Sequence, residues 1–93
     1  MTFSITGVCE DSGMAGIAIT TSSICVGSRC PWVRAGAGAV STQNITDPTI
    51  GNEVLDLLEN GISAPDAVAI VMDQRPHAEY RQVAVIDLSG RTA

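Results

Sequence analysis

The sequence predicts a mixed α/β domain of the α+β kind, with strands towards both ends of the chain and helices between them. Three observations predict this class: alternating runs rich in β-formers, a capped helical pattern in the middle, and turn signals between the runs. The 93 residues suit one small domain. Only three residues are aromatic, so the core is thin and we expect stabilisation by a second chain.

The amino-terminal segment predicts a β-hairpin. Residues 3–9 are rich in β-formers, and a turn signal follows at residues 10–13. A second strand is predicted over residues 15–22, whose small residues share one face. That pattern is typical of a strand covered on both sides.

A glycine-rich apolar run follows at residues 35–41. Its glycines alternate at Gly36 and Gly38, which indicates the close approach of another backbone or of a ligand. The run therefore predicts one strand that lies under helices.

Two consecutive helices are predicted next. Asp47 can cap the first helix, apolar residues recur at helical spacing from Ile50 to Leu58, and Gly61 stops it. Ser63 starts the second helix, with Asp66 three residues later as a variant capping box. Pro76 is expected to end this second helix.

Residues 80–87 alternate regularly and predict a strand, followed by a turn at 87–90. Residues 91–93 begin the return strand. Because this strand is so short, we expect residues 1–93 to be the N-terminal part of a larger domain.

The charge pattern excludes some functions. The net charge is -5, and the basic residues are five scattered arginines without any lysine, so we expect no nucleic-acid ligand. No apolar run reaches membrane-spanning length, and the first residues do not resemble a signal peptide, so we expect no membrane association and a cytoplasmic location.

The cysteine pattern predicts no metal site. Cys25 and Cys30 have neither a second close pair nor a nearby histidine, and with Cys9 they give an odd count that argues against a disulfide framework. We expect all three to pack as reduced, small apolar residues. The glycines make no phosphate loop, and no cofactor is predicted.

Three stretches of the sequence resemble the bacterial "domain of unknown function 1028" family. They are residues 1–5 (MTFSI), residues 31–43 (PWVRAGAGAVSTQ) and residues 80–87 (YRQVAVID). The resemblance covers essentially the whole chain, and the middle motif is long enough to be fairly specific. Members of that family are about twice as long and are similar in fold to N-terminal nucleophile hydrolases.

The resemblance implies half of a four-layer αββα sandwich, completed by a second chain. It also implies an amidohydrolase acting on an amide, cyclic amide or peptide-like bond in a small molecule. In that class an amino-terminal Thr, Ser or Cys attacks the carbonyl, and its own α-amino group is the general base. Thr2 is the local candidate once Met1 is removed, and Arg34, 32 residues later, is the candidate catalytic cation.

Alternatively, the nucleophile belongs to the second chain. That chain arises either by self-cleavage of a precursor or by gene fission, with accidental nicking as a third origin. The implied assembly is a higher oligomer of heterodimers.

Hydroxyl residues are further candidates for the same cleft. The hydroxyls of Ser22, Ser23 and Thr42 are candidates for substrate binding, or else they satisfy backbone groups at strand ends. Arg34 is alternatively a structural ion pair. A second functional hypothesis is a non-catalytic binding or assembly subunit, since no acidic residue stands on the second predicted strand.

Overall fold

A computed structural model gives the fold and describes residues 2–22, 24–44, 47–73 and 75–93. The strands are β1 (Thr2–Cys9), β2 (Met14–Thr21), β3 (Pro31–Arg34), β4 (Gly38–Asn44) and β5 (Arg81–Asp87). The helices are α1 (Thr49–Glu59) and α2 (Ala64–Met72). Single turns of 3-10 helix precede β3 at Val26–Ser28 and β5 at Ala78–Tyr80. The domain is therefore α+β, as predicted.

The strands form two antiparallel sheets. β1 pairs with β2 as the predicted hairpin, and the second sheet has the order β3-β4-β5. The prediction of one strand over residues 35–41 is wrong at its beginning. Residues 35–37 form the turn between β3 and β4, because Gly36 adopts a φ of 79° that closes a tight hairpin.

The other glycine of that run meets the expectation of close approach. A side chain at Gly38 would collide with the carbonyl oxygen of Ile86, on the neighbouring strand β5. It would also lie 3.1 Å from the Leu58 side chain of α1. Glycine at this position therefore lets β4, β5 and α1 meet at one point.

The apolar core lies between the three-stranded sheet and the two helices. Val40 of β4 and Val85 of β5 pack against a buried face of both helices. The α1 members of this cluster are Ile50, Val54, Leu55 and Leu58, and the α2 members are Ala64, Ala67 and Val71. The small alanines of α2 let that helix approach closely, and burial of this cluster is the main apolar stabilisation of the domain.

Helix α1 begins at Thr49, so Pro48 and not Asp47 is its N-cap residue, but Asp47 still binds the first helical residue. The Asp47 carboxylate accepts hydrogen bonds from the backbone N–H (2.9 Å) and the hydroxyl (2.6 Å) of Thr49. These bonds lower the pKa of Asp47 to about 2. At the other end the N–H groups of Gly61 and Ile62 bond the carbonyls of Leu58 and Leu57, which is a Schellman motif.

Helix α2 begins as predicted and ends early. The Ser63 hydroxyl accepts a 3.4 Å hydrogen bond from the N–H of Asp66. The helix ends at Met72 rather than at Pro76. Asp73 is already extended, with a φ of -62° and a ψ of 131°, so the chain leaves the helix before proline forces it to.

The last hairpin is built around Asp87. Its carboxylate accepts hydrogen bonds from the N–H groups of Ser89 (2.9 Å), Arg91 (3.0 Å) and Ala64 (3.0 Å). Burial alone raises the pKa of Asp87, but these bonds outweigh it and lower the pKa overall. Residues 91–93 begin the predicted return strand, since Val85 and Ala93 exchange two backbone hydrogen bonds. Strand β5 begins one residue later than predicted, because Tyr80 belongs to the 3-10 turn.

The hairpin β1–β2 packs on the other face of the three-stranded sheet. Its strands alternate in exposure, and the half-buried inner face combines polar side chains of β1, such as Thr2 and Ser4, with apolar side chains of β2, such as Ile17 and Ile19. The outer face is apolar: Phe3 is 63%, Ile5 71% and Met14 69% exposed. We call these three residues, with Ala18 between them, the outer hairpin face.

The expectation that all three cysteines pack as apolar residues is wrong for two of them. Cys9 lies at the end of β1 and Cys25 in the loop after β2, and both are exposed. Only Cys30 is buried. In the described parts of the chain, neither helix has the length and apolar character needed to cross a membrane.

Candidate functional site

A polar cleft opens where the start of β1 meets the end of β4. Its volume is about 240 Å³. A second depression of about 280 Å³ adjoins it, sharing Thr2, Gln43 and Asn44 and adding Gln82. The residues that line the cleft are Thr2, Thr21, Val26, Arg29, Cys30, Gln43 and Asn44. The structure thus places Thr2 in a concave, mainly polar environment.

Thr2 is held by the pairing of the first hairpin. The register places Thr2 opposite Thr21, at the open end of the β1–β2 ladder. The two side-chain hydroxyls share a hydrogen bond of 2.8 Å. Thr21 therefore fixes the direction of the Thr2 Oγ1 atom, which is the group that the nucleophile hypothesis requires.

A buried hydroxyl network lies beside Thr2 between the two sheets. The Ser41 hydroxyl donates a 2.9 Å hydrogen bond to Ser4 Oγ, and Gln43 Nε2 donates to Ser4 Oγ and, at 3.3 Å, to Ser41 Oγ. Ser41 and Gln43 are buried on the β4 face that meets the hairpin. These bonds tie β1 to β4 and so set the position of Thr2 relative to Gln43.

Thr42 anchors the loop that forms the opposite wall. Its hydroxyl donates to the carbonyl oxygens of Arg29 (3.1 Å) and Cys30 (3.4 Å). Trp32 Nε1 also donates to the Arg29 carbonyl, at 3.2 Å. Thr42 is 1% exposed and does not line the cleft, so its hydroxyl satisfies backbone groups, which is the second of the two roles predicted for it.

Arg29 is the charged residue of the cleft lining, as far as the described residues show. Its Nη2 donates a 3.0 Å hydrogen bond to the Ile24 carbonyl, within the same loop. The loop turns at Cys25, which adopts a left-handed φ of 58°. The cleft therefore combines one guanidinium with neutral polar groups.

Asn44 closes the far end of the cleft in a left-handed conformation, with a φ of 70°. Asparagine tolerates this region better than most residues. Its side-chain amide donates to the carbonyl oxygen of Tyr80, ahead of β5. The strand ladder of β4 thus ends at a residue that also lines the site.

The structure does not bring Arg34 to Thr2. Arg34 pairs with Gly38 at the beginning of β4, whereas Thr2 lies beside the end of that strand. Six residues of strand separate the two positions, which is roughly 20 Å. Arg34 Nη1 instead binds the carboxylates of Asp56 (2.5 Å) and Glu59 (3.0 Å) on α1. The hydrogen bond to Asp56 raises the pKa of Arg34, and this ion pair is the structural alternative predicted from the sequence.

Ser22 is the remaining predicted residue that the structure describes, and it does not line the cleft. Ser22 is exposed just beyond the end of β2, and Ser23 lies outside the described residues. Sequence reasoning missed Thr21, Arg29, Gln43 and Asn44. The hairpin register offered one usable signal, because a turn centred between residues 11 and 12 places residue 2 opposite residue 21.

Comparison with known proteins identifies relatives of the chain. The sequence model of a family described as "Family of unknown function (DUF1028)" matches residues 2–93. The chain also resembles a crystal structure of protein SPO2555 from Silicibacter pomeroyi, itself assigned to DUF1028. The TM-score is 0.92 at 36% sequence identity, over 99% of this chain and 43% of the other. The chain thus spans less than half the length of that relative. No curated protein matches it.

Proposed function

The chain belongs to DUF1028, a family of unknown function, and on that premise we propose that it forms part of an amidohydrolase of the N-terminal nucleophile type. The observation that carries the proposal is Thr2. Its hydroxyl begins the first strand, lies in a polar cleft and is oriented by Thr21 at 2.8 Å. The substrate class is a small molecule with an amide, cyclic amide or peptide-like bond.

The reaction follows from the chemistry of an amino-terminal threonine. Removal of Met1 frees the Thr2 α-amino group, which accepts the hydroxyl proton while Oγ1 attacks the amide carbonyl carbon. The same proton passes to the leaving nitrogen as the C–N bond breaks. Water then cleaves the resulting ester, which releases the acid and restores the hydroxyl. The ordinary pKa of an α-amino group lies near 8, which suits this role at neutral pH.

Neighbouring groups in the cleft have supporting roles in this proposal. Gln43 and Asn44 line the cleft beside Thr2 with neutral side-chain amides, whose N–H groups donate to Ser4 and Ser41 and to the Tyr80 carbonyl. In this proposal they fix the shape of the site around the nucleophile. The hydroxyl network of Ser4 and Ser41 keeps Gln43 in register with β1. No cofactor takes part in any of these steps.

We further propose that a second chain completes a four-layer αββα sandwich. The outer hairpin face supports this, because an apolar sheet face of this exposure is unusual for a surface left in water. The occupant would be polypeptide equivalent to the rest of the longer relative, of which this chain spans 43%. A helix on this face would bury Phe3, Ile5 and Met14.

Turnover of an amide panel tests the catalytic proposal. We expect Thr2→Ala to reduce hydrolysis by about 10³-fold or more, as loss of a nucleophile does. Ser89→Ala is the control, since Ser89 is exposed in the last turn and does not line the cleft. Equal activity of the two variants would refute a role for Thr2 as nucleophile.

Mass spectrometry of the purified protein tests the assembly and separates the two possible nucleophiles. A free Thr2 supports the local route, whereas a second chain that begins with Thr, Ser or Cys supports the other. An intact Met1 together with no second chain contradicts both routes.

A non-catalytic binding or assembly subunit is the second candidate. The observation that favours it is the composition of the cleft, where the described lining residues include no carboxylate and Arg34 lies at the other end of β4. Saturable binding of a small ligand, without turnover of any amide in the panel, would establish this alternative.

A further inference from the structure

We infer that Arg29 makes this cleft a site for a carboxylate, so that the ligand class is a small amide bearing a carboxylate group, such as an N-acylated amino acid. The inference concerns the same cleft as the proposed function and deepens it by naming the ligand chemistry. The arginines of this acidic chain differ in whether they bind a carboxylate of the fold.

Three of the other arginines are committed to carboxylates of the fold. Arg34 binds Asp56 and Glu59, Arg75 binds Asp47 and Glu53, and Arg91 binds Asp87. Within the described ranges, no carboxylate lies at ion-pair distance from Arg29. Its guanidinium donates to the Ile24 carbonyl through Nη2, and further N–H groups remain for a ligand.

Arg29 is an exposed cation in a protein of net charge -5. It lines a concave site beside Thr2, and the other polar groups of that site are hydroxyls and amides. Nothing in the described lining repels an anion, while the guanidinium matches the two oxygens of a carboxylate. The volume of about 240 Å³ suits a small molecule.

The loop that carries Arg29 is held in place before any ligand arrives. Thr42 and Trp32 both donate to the Arg29 carbonyl oxygen, at 3.1 and 3.2 Å. The backbone of Arg29 is therefore anchored to β3 and β4, and less freedom is lost when the side chain engages a ligand.

Calorimetric titration with two probes tests the inference independently of hydrolysis. N-acetylglycine carries a carboxylate, and N-acetylglycinamide replaces it with a neutral amide of nearly the same shape. We expect N-acetylglycine to bind with a Kd about 10-fold lower or better, and this difference to shrink as salt is raised. Equal affinity of the two probes, or no saturable binding of either, would overturn the inference.

Variants assign the preference to the residue. Arg29→Gln should abolish the difference between the probes, whereas Arg29→Lys, which keeps the charge, should retain part of it. Arg91→Gln removes the same charge at the other end of the sheet, where Asp87 pairs with Gly38, and should leave both affinities within about twofold. A preference for N-acetylglycine that survives in Arg29→Gln would contradict the assignment.

Different results would refute the hydrolase proposal and the proposed carboxylate site. Binding of N-acetylglycine through Arg29 without cleavage of any amide supports the carboxylate site and counts against the hydrolase. Cleavage of neutral and acidic amides at equal rates, with equal affinity for both probes, supports the hydrolase and overturns the carboxylate site.

Discussion

The two faces of the three-stranded sheet carry opposite chemistry, and strand β4 contributes to both. On the helix side Val40 is fully buried in the apolar cluster with Ile50 and Val54. On the hairpin side Ser41 and Gln43, equally enclosed, form hydrogen bonds with Ser4. The first face stabilises the domain by burying apolar side chains, whereas the second face buries a network of hydrogen-bonded polar groups that positions the cleft.

The hairpin layer extends this contrast. Its inner face is mixed, with polar side chains on β1 and the apolar Ile17 and Ile19 on β2, whereas its outer face exposes Phe3, Ile5 and Met14. Large apolar side chains on the exposed face are the reverse of what a sheet at a protein surface normally shows. On the helix side the apolar core is therefore fully covered, whereas on the hairpin side apolar side chains remain exposed, as if another layer packed on them. The comparison predicts that equivalent substitutions on the two sides have very different effects.

The largest expected effect is on the apolar core. Ile50→Ala removes a side chain that is 1% exposed and should lower the free energy of unfolding by about 2–5 kcal/mol in urea denaturation. Ile5→Ala on the outer hairpin face, where isoleucine is 71% exposed, should cost less than about 1 kcal/mol in this chain alone. Similar losses of unfolding free energy in the two variants would contradict the proposed difference between the helix side and the hairpin side.

Substitution of a glycine on α1, compared with one on β2, should give the next largest effect on stability. A side chain at Gly51, on α1, would collide with the Trp32 ring, so Gly51→Ala should destabilise by about 1–3 kcal/mol. Alanine normally favours a helix over glycine, so this loss has the opposite sign to the intrinsic preference. Gly16→Ala on β2 meets open space and should be close to neutral, measured by the same thermal or urea unfolding.

Disruption of the polar network between the sheets should cause a smaller loss of stability. Ser4→Ala removes the shared acceptor of Ser41 and Gln43, and leaves buried donors unpaired at a cost of about 1–2 kcal/mol. Ser89→Ala is the control, because its exposed hydroxyl lies in the last turn. Amide hydrogen exchange at β1 and β4 should rise in Ser4→Ala alone, and protection unchanged from the parent chain would argue against the network.

The smallest effect concerns pH. The pKa of Asp47 is lowered to about 2 in the folded chain, chiefly by the hydrogen bond from the Thr49 hydroxyl, against 3.8 for an unperturbed aspartate. The Asp47 carboxylate therefore contributes to the free energy of unfolding above about pH 4, and this contribution is lost as the pH falls towards 2. Its size is on the order of 1 kcal/mol, because the group is partly exposed. In Asp47→Asn the midpoint of urea unfolding should depend less on pH between these values. The same pH dependence in the variant and the parent chain would contradict the assignment.

Local signals predicted most of the elements correctly. Ser63 with Asp66 located the start of α2, and Asn60-Gly61 located the end of α1, since capping depends on a few adjacent backbone groups. The sequence was less informative between residues 31 and 44. There the predicted strand over residues 35–41 begins with the tight turn at Gly36, and strand β3 before that turn was not predicted.

The candidate site was predicted only in part. Thr2 was found because its place before a strand can be recognised along the chain, and it does line the cleft. Arg34 was chosen for its spacing from Thr2, but spacing along the chain says nothing about the direction in which β3 and β4 run. Arg29, Gln43 and Asn44 come from a loop and a strand end, and their meeting with Thr2 depends on the packing of one sheet on the other.

The α+β class, the ends of the helices, the first hairpin and the turn at Asp87 could be predicted from the sequence, because each depends on residues close together in the chain. Contacts between distant residues set which side of β4 is apolar core and which is polar network, and which arginine stands beside Thr2. The physical reason is that a strand offers both its faces to neighbours. Burial by α1 on one side and by β1 on the other assigns a role to each face, and those contacts join residues far apart in sequence.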